Sequence, residues 1–112
     1  MAEKYYLRAG DYGVTISATL KDAAGTAVDI SEAAEVTFHM GAEGSAAIVT
    51  EPATNLDDGE AANTGKVSYT FQQGDTDNAG EYRAEWQVTW ADAVVTFPNK
   101  DYITVVVSEE VA

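Results

Sequence analysis

Asp75-Thr76-Asp77-Asn78-Ala79-Gly80-Glu81-Tyr82-Arg83-Ala84-Glu85-Trp86-Gln87-Val88-Thr89-Trp90 decides the fold. An acidic turn runs into ten residues of unbroken alternation. Tyr82, Ala84, Trp86, Val88 and Trp90 fall on one side, and Glu81, Arg83, Glu85, Gln87 and Thr89 on the other. Successive strand side chains point to opposite faces, so this pattern predicts a long strand with one buried and one wet face.

The same alternation recurs outward from this stretch. Tyr5 and Leu7 open a first edge strand, and Val14, Ile16, Ala18 and Leu20 mark a second, closed by Lys21-Asp22-Ala23-Ala24-Gly25. Val36, Phe38 and Met40 mark a third, Ala46 to Thr50 a shorter fourth ended by Pro52, and Val67, Tyr69 and Phe71 a fifth. Val94 to Phe97 and Tyr102 to Val107 follow the long strand, split by Pro98-Asn99-Lys100-Asp101. No window has a helical period. Val28 to Ala34 is the best place for a single helical turn, with Asp29 or Ser31 as its cap. Ala53 to Thr64 reads as an exposed loop centred on Asp57-Asp58-Gly59-Glu60.

Seven to eight short strands with regular turn signals predict an all-β, immunoglobulin-like antiparallel β-sandwich, with a small β-barrel as its competitor. Gly80-Glu81-Tyr82 favours the sandwich. A tyrosine at the start of a long strand can turn its ring inward and bond its hydroxyl back to the preceding loop, as in a tyrosine corner. The cysteine that follows two residues later in antibody-type domains is Ala84 here, and the chain has no cysteine at all. Disulfides, thiolate metal sites and cysteine nucleophiles are therefore excluded.

At 112 residues, 46% hydrophobic and 22% charged, the chain reads as one globular domain over residues 1–112. No apolar run approaches the roughly 20 residues that cross a bilayer, and the N-terminus has no basic-then-apolar signal pattern. Synthesis and folding in the cytoplasm are expected. Six basic against nineteen acidic side chains give a net charge of −13. Such a surface repels phosphate backbones and anionic lipid, so neither nucleic acid nor membrane is an expected partner. Solubility and suppression of self-association are its plainest uses.

Asp75, Asp77 and Glu81 are spaced like the opening of a calcium loop, but Ala79 stands at the third ligand position and Trp86 where the bidentate glutamate belongs. An ordinary acidic turn is the preferred reading. His39 is the sole histidine and lies on the polar face of its strand without a visible partner. The serines lie in no nucleophile motif, and phosphate-cradling glycine motifs are missing. No enzyme, metal or cofactor is expected. The inward aromatics are read as core. Contact candidates are Tyr5, Tyr6, Leu7 and Arg8 in the first strand, Asp57, Asp58 and Glu60 in the acidic loop, and Trp90 at the end of the long strand.

Four passages carry a resemblance: Leu7-Arg8-Ala9-Gly10-Asp11, Val28-Asp29-Ile30-Ser31, Gly65-Lys66-Val67-Ser68-Tyr69 and Asp77-Asn78-Ala79-Gly80-Glu81-Tyr82. With Pro98 and the closing strand after it, they are similar to the small immunoglobulin-like domains in virion proteins of tailed bacteriophages, notably the N-terminal domain of the baseplate upper protein family. That resemblance implies a non-enzymatic virion structural protein, made in the host cytoplasm and serving as a connector, capsid decoration or baseplate component. Its expected partners are other virion proteins, met as a homo-oligomer or as many copies on a symmetric lattice. Only Ser108-Glu109-Glu110-Val111-Ala112 follows the last strand, which points to a structural piece rather than a host-recognising one. The alternative is a carbohydrate-binding or adhesin-like module that stacks exposed aromatics on sugar rings.

Overall fold

The computed structural model describes residues 4–42, 47–97 and 103–109. They form nine strands: β1 (Lys4–Arg8), β2 (Thr15–Thr19), β3 (Glu35–Gly41), β4 (Val49–Pro52), β5 (Thr54–Asn55), β6 (Lys66–Thr70), β7 (Gly80–Thr89), β8 (Val94–Phe97) and β9 (Ile103–Ser108). The larger sheet has the order β1-β9-β7-β3-β4, with β8 also on β7, and the smaller one is β2-β6-β5. Every pair is antiparallel except β1 with β9. The two sheets face each other across one apolar core, and this is an all-β sandwich.

β7 is the axis of the larger sheet because its alternation is the longest. Tyr82, Ala84, Trp86 and Val88 are buried, while Glu81 and Glu85 are exposed. One of its edges pairs with β3 from Glu35–Thr89 to Gly41–Arg83. Its other edge takes β9 along Gly80–Ala84 and β8 along Trp86–Thr89. The strand ends at Thr89, and the Trp90 N–H turns to the Ala93 carbonyl at 2.8 Å.

The two sheets meet on aromatic rings. Phe38 of β3 stacks on Tyr69 of β6 at 4.5 Å between centroids and makes edge contacts with Phe71 and Trp86 at 5.9 and 5.0 Å. Tyr69 and Phe71 also meet edge to face at 5.4 Å. Such pairs contribute about 0.5–1.5 kcal/mol each beyond the area they bury. The corner expected at Tyr82 is present: its hydroxyl donates to the Asn78 carbonyl at 2.6 Å.

The fold departs from the sequence reading in four places. The larger sheet is mixed rather than antiparallel, because β1 runs parallel to β9. Val28 to Ala34 is not helical: the Asp29 carboxylate accepts from the Ser31 N–H and hydroxyl at 3.0 and 2.7 Å, making an Asx turn that delivers Ile30 to the core. The supposed loop from Ala53 to Thr64 contains β5 and a short 3-10 turn at Ala61–Asn63, which raises the strand number to nine. The fourth strand begins at Val49 and includes Pro52, which is tolerated there because β4 is an edge strand. Ala46, Pro98 to Asp101 and Tyr102 lie outside the described residues.

Phe38→Ala should lower the unfolding free energy by about 3–5 kcal/mol. Tyr82→Phe, which loses one hydrogen bond and no volume, should cost about 1 kcal/mol. Urea unfolding followed by tryptophan fluorescence measures both, and equal losses would show that Phe38 is not the hub of the core.

Candidate functional site

Strand alternation divides the N-terminal candidates. Tyr6 and Arg8 point outward from β1, with Tyr6 70% exposed, whereas Leu7 is only 6% exposed and belongs to the core. Tyr5 is half-buried, and its hydroxyl donates to the Ser17 carbonyl of β2 at 3.0 Å. Arg8 donates through Nη1 to the Glu109 carbonyl at 3.1 Å, and its own N–H donates to the Asp11 carboxylate at 3.1 Å. The side chains that β1 exposes are thus Lys4, Tyr6 and Arg8. The expectation that all four consecutive residues serve corrects to the outward pair, because a strand cannot present neighbours on one face.

The acidic loop also divides. Asp58 and Glu60 are exposed, and the Asp58 carboxylate accepts from the Glu60 N–H at 3.0 Å and from Asn63 Nδ2 at 3.1 Å. Those two hydrogen bonds, the Asn63 one foremost, hold its pKa below the ordinary value.

Asp57 is the correction. It is only 6% exposed, and one carboxylate oxygen accepts from the N–H groups of Gly65 and Ile30 at 3.0 and 2.9 Å, the other from Gly59 at 3.0 Å. Asn55 completes the knot, accepting from the Asp57 N–H at 2.9 Å and donating to the Ile30 carbonyl at 2.8 Å. The Gly65 hydrogen bond, then that of Ile30, lowers the Asp57 pKa against the opposing effect of burial. This carboxylate ties the segment at Ile30 to the turns at Gly59 and Gly65, and three backbone N–H groups occupy its two oxygens.

Gly65 is fixed by the same knot. Its φ is +76°, and a Cβ there would lie 2.8 Å from the Leu20 carbonyl oxygen and 3.0 Å from that of Val28. The legible signal was Asn55-x-Asp57-x-Gly59, two overlapping Asx turns, which marks a structured turn rather than an open loop.

The turn before β7 is likewise structural. Asp75 accepts from the Tyr69 hydroxyl at 2.5 Å and the Gln72 N–H at 2.8 Å, and burial together with this carboxylate raises the Tyr69 pKa. The buried Thr76 hydroxyl donates to the Asp11 carbonyl at 2.6 Å. Among the described residues no group of three or more histidine, cysteine, aspartate or glutamate side chains could hold a metal ion. His39 lies between Glu85 and Thr50 on the outer face of the larger sheet, with its Nε2 buried and without a hydrogen-bond partner. Trp90 is half-buried and packs against the core.

The described residues also form a concavity. A groove of about 740 Å³ crosses the outer face of the smaller sheet, lined by Ser17, Thr19, Lys21, Leu56, Asn63 and Lys66. Its lining carries the ammonium groups of Lys21 and Lys66, the hydroxyls of Ser17 and Thr19 and the Asn63 amide, with no carboxylate or histidine among them.

No known family model matches the chain, and no curated protein matches it either.

The Asp57 knot has a pH signature. A carboxylate whose folded pKa lies below its ordinary value of 3.8 stabilises the fold fully above that value and loses its contribution as pH falls through the lower folded value. Asp57→Asn should therefore unfold at lower urea than the parent at neutral pH, with the gap closing below pH 3.8. Urea midpoints across a pH series test this, and a gap independent of pH would mean that Asp57 acts by shape rather than charge.

Proposed function

We propose that this chain is a non-enzymatic structural protein of a tailed-bacteriophage virion, a connector, capsid decoration or baseplate component that works through protein–protein contacts. The observation that carries this reading is the outer side of β1. Tyr6, the most exposed large apolar side chain among the described residues, stands between Lys4 and Arg8 on an edge strand of the larger sheet. Tyrosine and arginine side by side are the residue types enriched at the centres of protein interfaces. The resemblance of the four sequence passages to phage immunoglobulin-like domains supplies the setting, a virion assembled from products of the host cytoplasm.

A contact built on one tyrosine and one arginine is weak in a single copy. It becomes effective when many copies sit on a symmetric lattice, since each added contact is intramolecular once the first has formed. The −13 charge fits this use, because it opposes association everywhere except where an uncharged or basic patch interrupts it.

The carbohydrate-binding reading has less support. Its platform needs two rings side by side, but among the described residues the exposed aromatics are Tyr6, on β1, and Tyr12, in the connection from β1 to β2. The close ring pairs are all within the core.

Light scattering of the purified protein over a range of concentrations should give a discrete oligomer. Tyr6→Ala should raise its dissociation constant at least about tenfold, about 1.4 kcal/mol, while leaving the unfolding midpoint unchanged. A monomer at every concentration would remove self-assembly, and binding to bacterial-surface saccharides would then replace it as the leading reading.

A further inference from the structure

β2 is an open edge of the smaller sheet. The Leu20 N–H bonds the Gly65 carbonyl and the Phe71 N–H bonds the Val14 carbonyl. With the register Thr15–Thr70 to Thr19–Lys66, hydrogen-bonded pairs fall on even positions of β2. The backbone N–H and carbonyl groups of Thr15, Ser17 and Thr19 therefore point away from β6. Among them, the Ser17 carbonyl is taken by the Tyr5 hydroxyl.

Edge strands are ordinarily blunted by charge, proline or shortness. β1 carries Lys4 and Arg8, β4 carries Glu51 and Pro52, and β5 has two residues. β2, Thr-Ile-Ser-Ala-Thr, has none of these protections. β8 is also uncharged, but β2 alone has the groove against its Ser17-Ala18-Thr19 segment. Two of the chain's six basic residues, Lys21 and Lys66, line that groove, and their ammonium groups make no ion pair among the described residues. Leu56 adds an exposed apolar side chain.

The geometry points to the free edge of β2 as a docking site for an extended acidic peptide segment of a partner protein, which adds as a fourth strand to the smaller sheet. Main-chain hydrogen bonds to Thr15, Thr19 and the Ser17 N–H supply pairing. Side chains on alternate residues of the segment share the outer face with Thr19 and Lys21. Acidic ones there meet Lys21 directly and Lys66 across the short Thr19 side chain, since lysine carries its charge on a long flexible stem. The partner's acidity is set by these unpaired cations, and the repulsion from the rest of the surface is screened beyond about 8 Å at physiological salt. The inference rests on the reading of the chain as a protein-contact module, but it concerns a different surface from β1.

The test is an NMR titration of the ¹⁵N-labelled chain with a synthetic alternating glutamate–valine peptide. Amide shifts should concentrate at Thr15, Ser17 and Thr19. Ser17→Pro should weaken binding about tenfold with an unchanged unfolding midpoint, because the lost N–H lies outside the ladder. Lys21→Glu with Lys66→Glu should weaken it comparably, and Tyr5→Phe, which uncaps Ser17, should tighten it. Shifts elsewhere, no binding, or a Ser17→Pro variant that binds as the parent does would overturn the proposal. So would β2 shifts that depend on protein concentration without peptide, since a second copy would then occupy the edge. An alternating lysine–valine peptide is the control: drawn to the acidic surface at large, it should leave β2 unshifted, and shifts at β2 equal to those of the acidic peptide also overturn it. Loss of this binding leaves the oligomer measured through Tyr6 untouched, so the two readings fail separately.

Discussion

The stack of Phe38 on Tyr69 is the contact on which the rest of the sandwich depends. Two facing sheets share no backbone ladder, so their relative placement is set by side chains that interdigitate across the core. Phe38 comes from the middle of β3, with Trp86 opposite it on β7, and it reaches both Tyr69 of β6 and Phe71 just past that strand. The same Tyr69 extends its hydroxyl to Asp75, which fixes the turn that launches β7. One ring therefore couples the register of β3 on β7 to the position of β6 and to the entry of the longest strand. A slip of one residue in either ladder would turn Phe38 or Trp86 to solvent and dissolve the cluster.

Aspartate is used in this chain as a builder of turns. Asp11, Asp22, Asp29, Asp57, Asp58 and Asp75 each accept at least one backbone N–H within or beside a turn. A short carboxylate can satisfy N–H groups that a tight loop leaves unpaired, and an ionised acceptor makes the stronger bond. A substantial part of the −13 charge is thus a by-product of joining nine short strands by loops that cannot supply their own acceptors. Solubility follows from the same residues, but the hydrogen bonds explain why they stand where they do.

What was legible in the sequence is what repeats. The period of two from Tyr82 to Thr89 gives the burial of β7 residue by residue, and the tyrosine two residues after Gly80 gives the corner. β5 was hidden because two residues contain no period. Asp57 by residue type looks the same whether its carboxylate faces water or three backbone amides, and only its spacing from Asn55 and Gly59 marks it as a turn builder. Of the contact candidates, alternation alone could have separated Tyr6 from Leu7. The groove at Lys21 and Lys66 could not be read, since it depends on the register of β2 with β6 and on the 3-10 turn that brings Asn63 beside them.

The position of β1 explains why one edge is closed and another left open. An N-terminal strand leading into β2 could lie along β2 itself or along β9. Pairing with β9 places Leu7 beside Val107 and sends both into the core, and it covers an edge of the sheet that contains β7. The cost is that β2 keeps its outward N–H and carbonyl groups. Tyr5 offsets part of that cost from the opposite sheet, its hydroxyl reaching the Ser17 carbonyl. A parallel β1 on β9 and an uncapped stretch of β2 are two consequences of one choice, and the surface left at β2 is fixed by the packing of Leu7 as firmly as the core is.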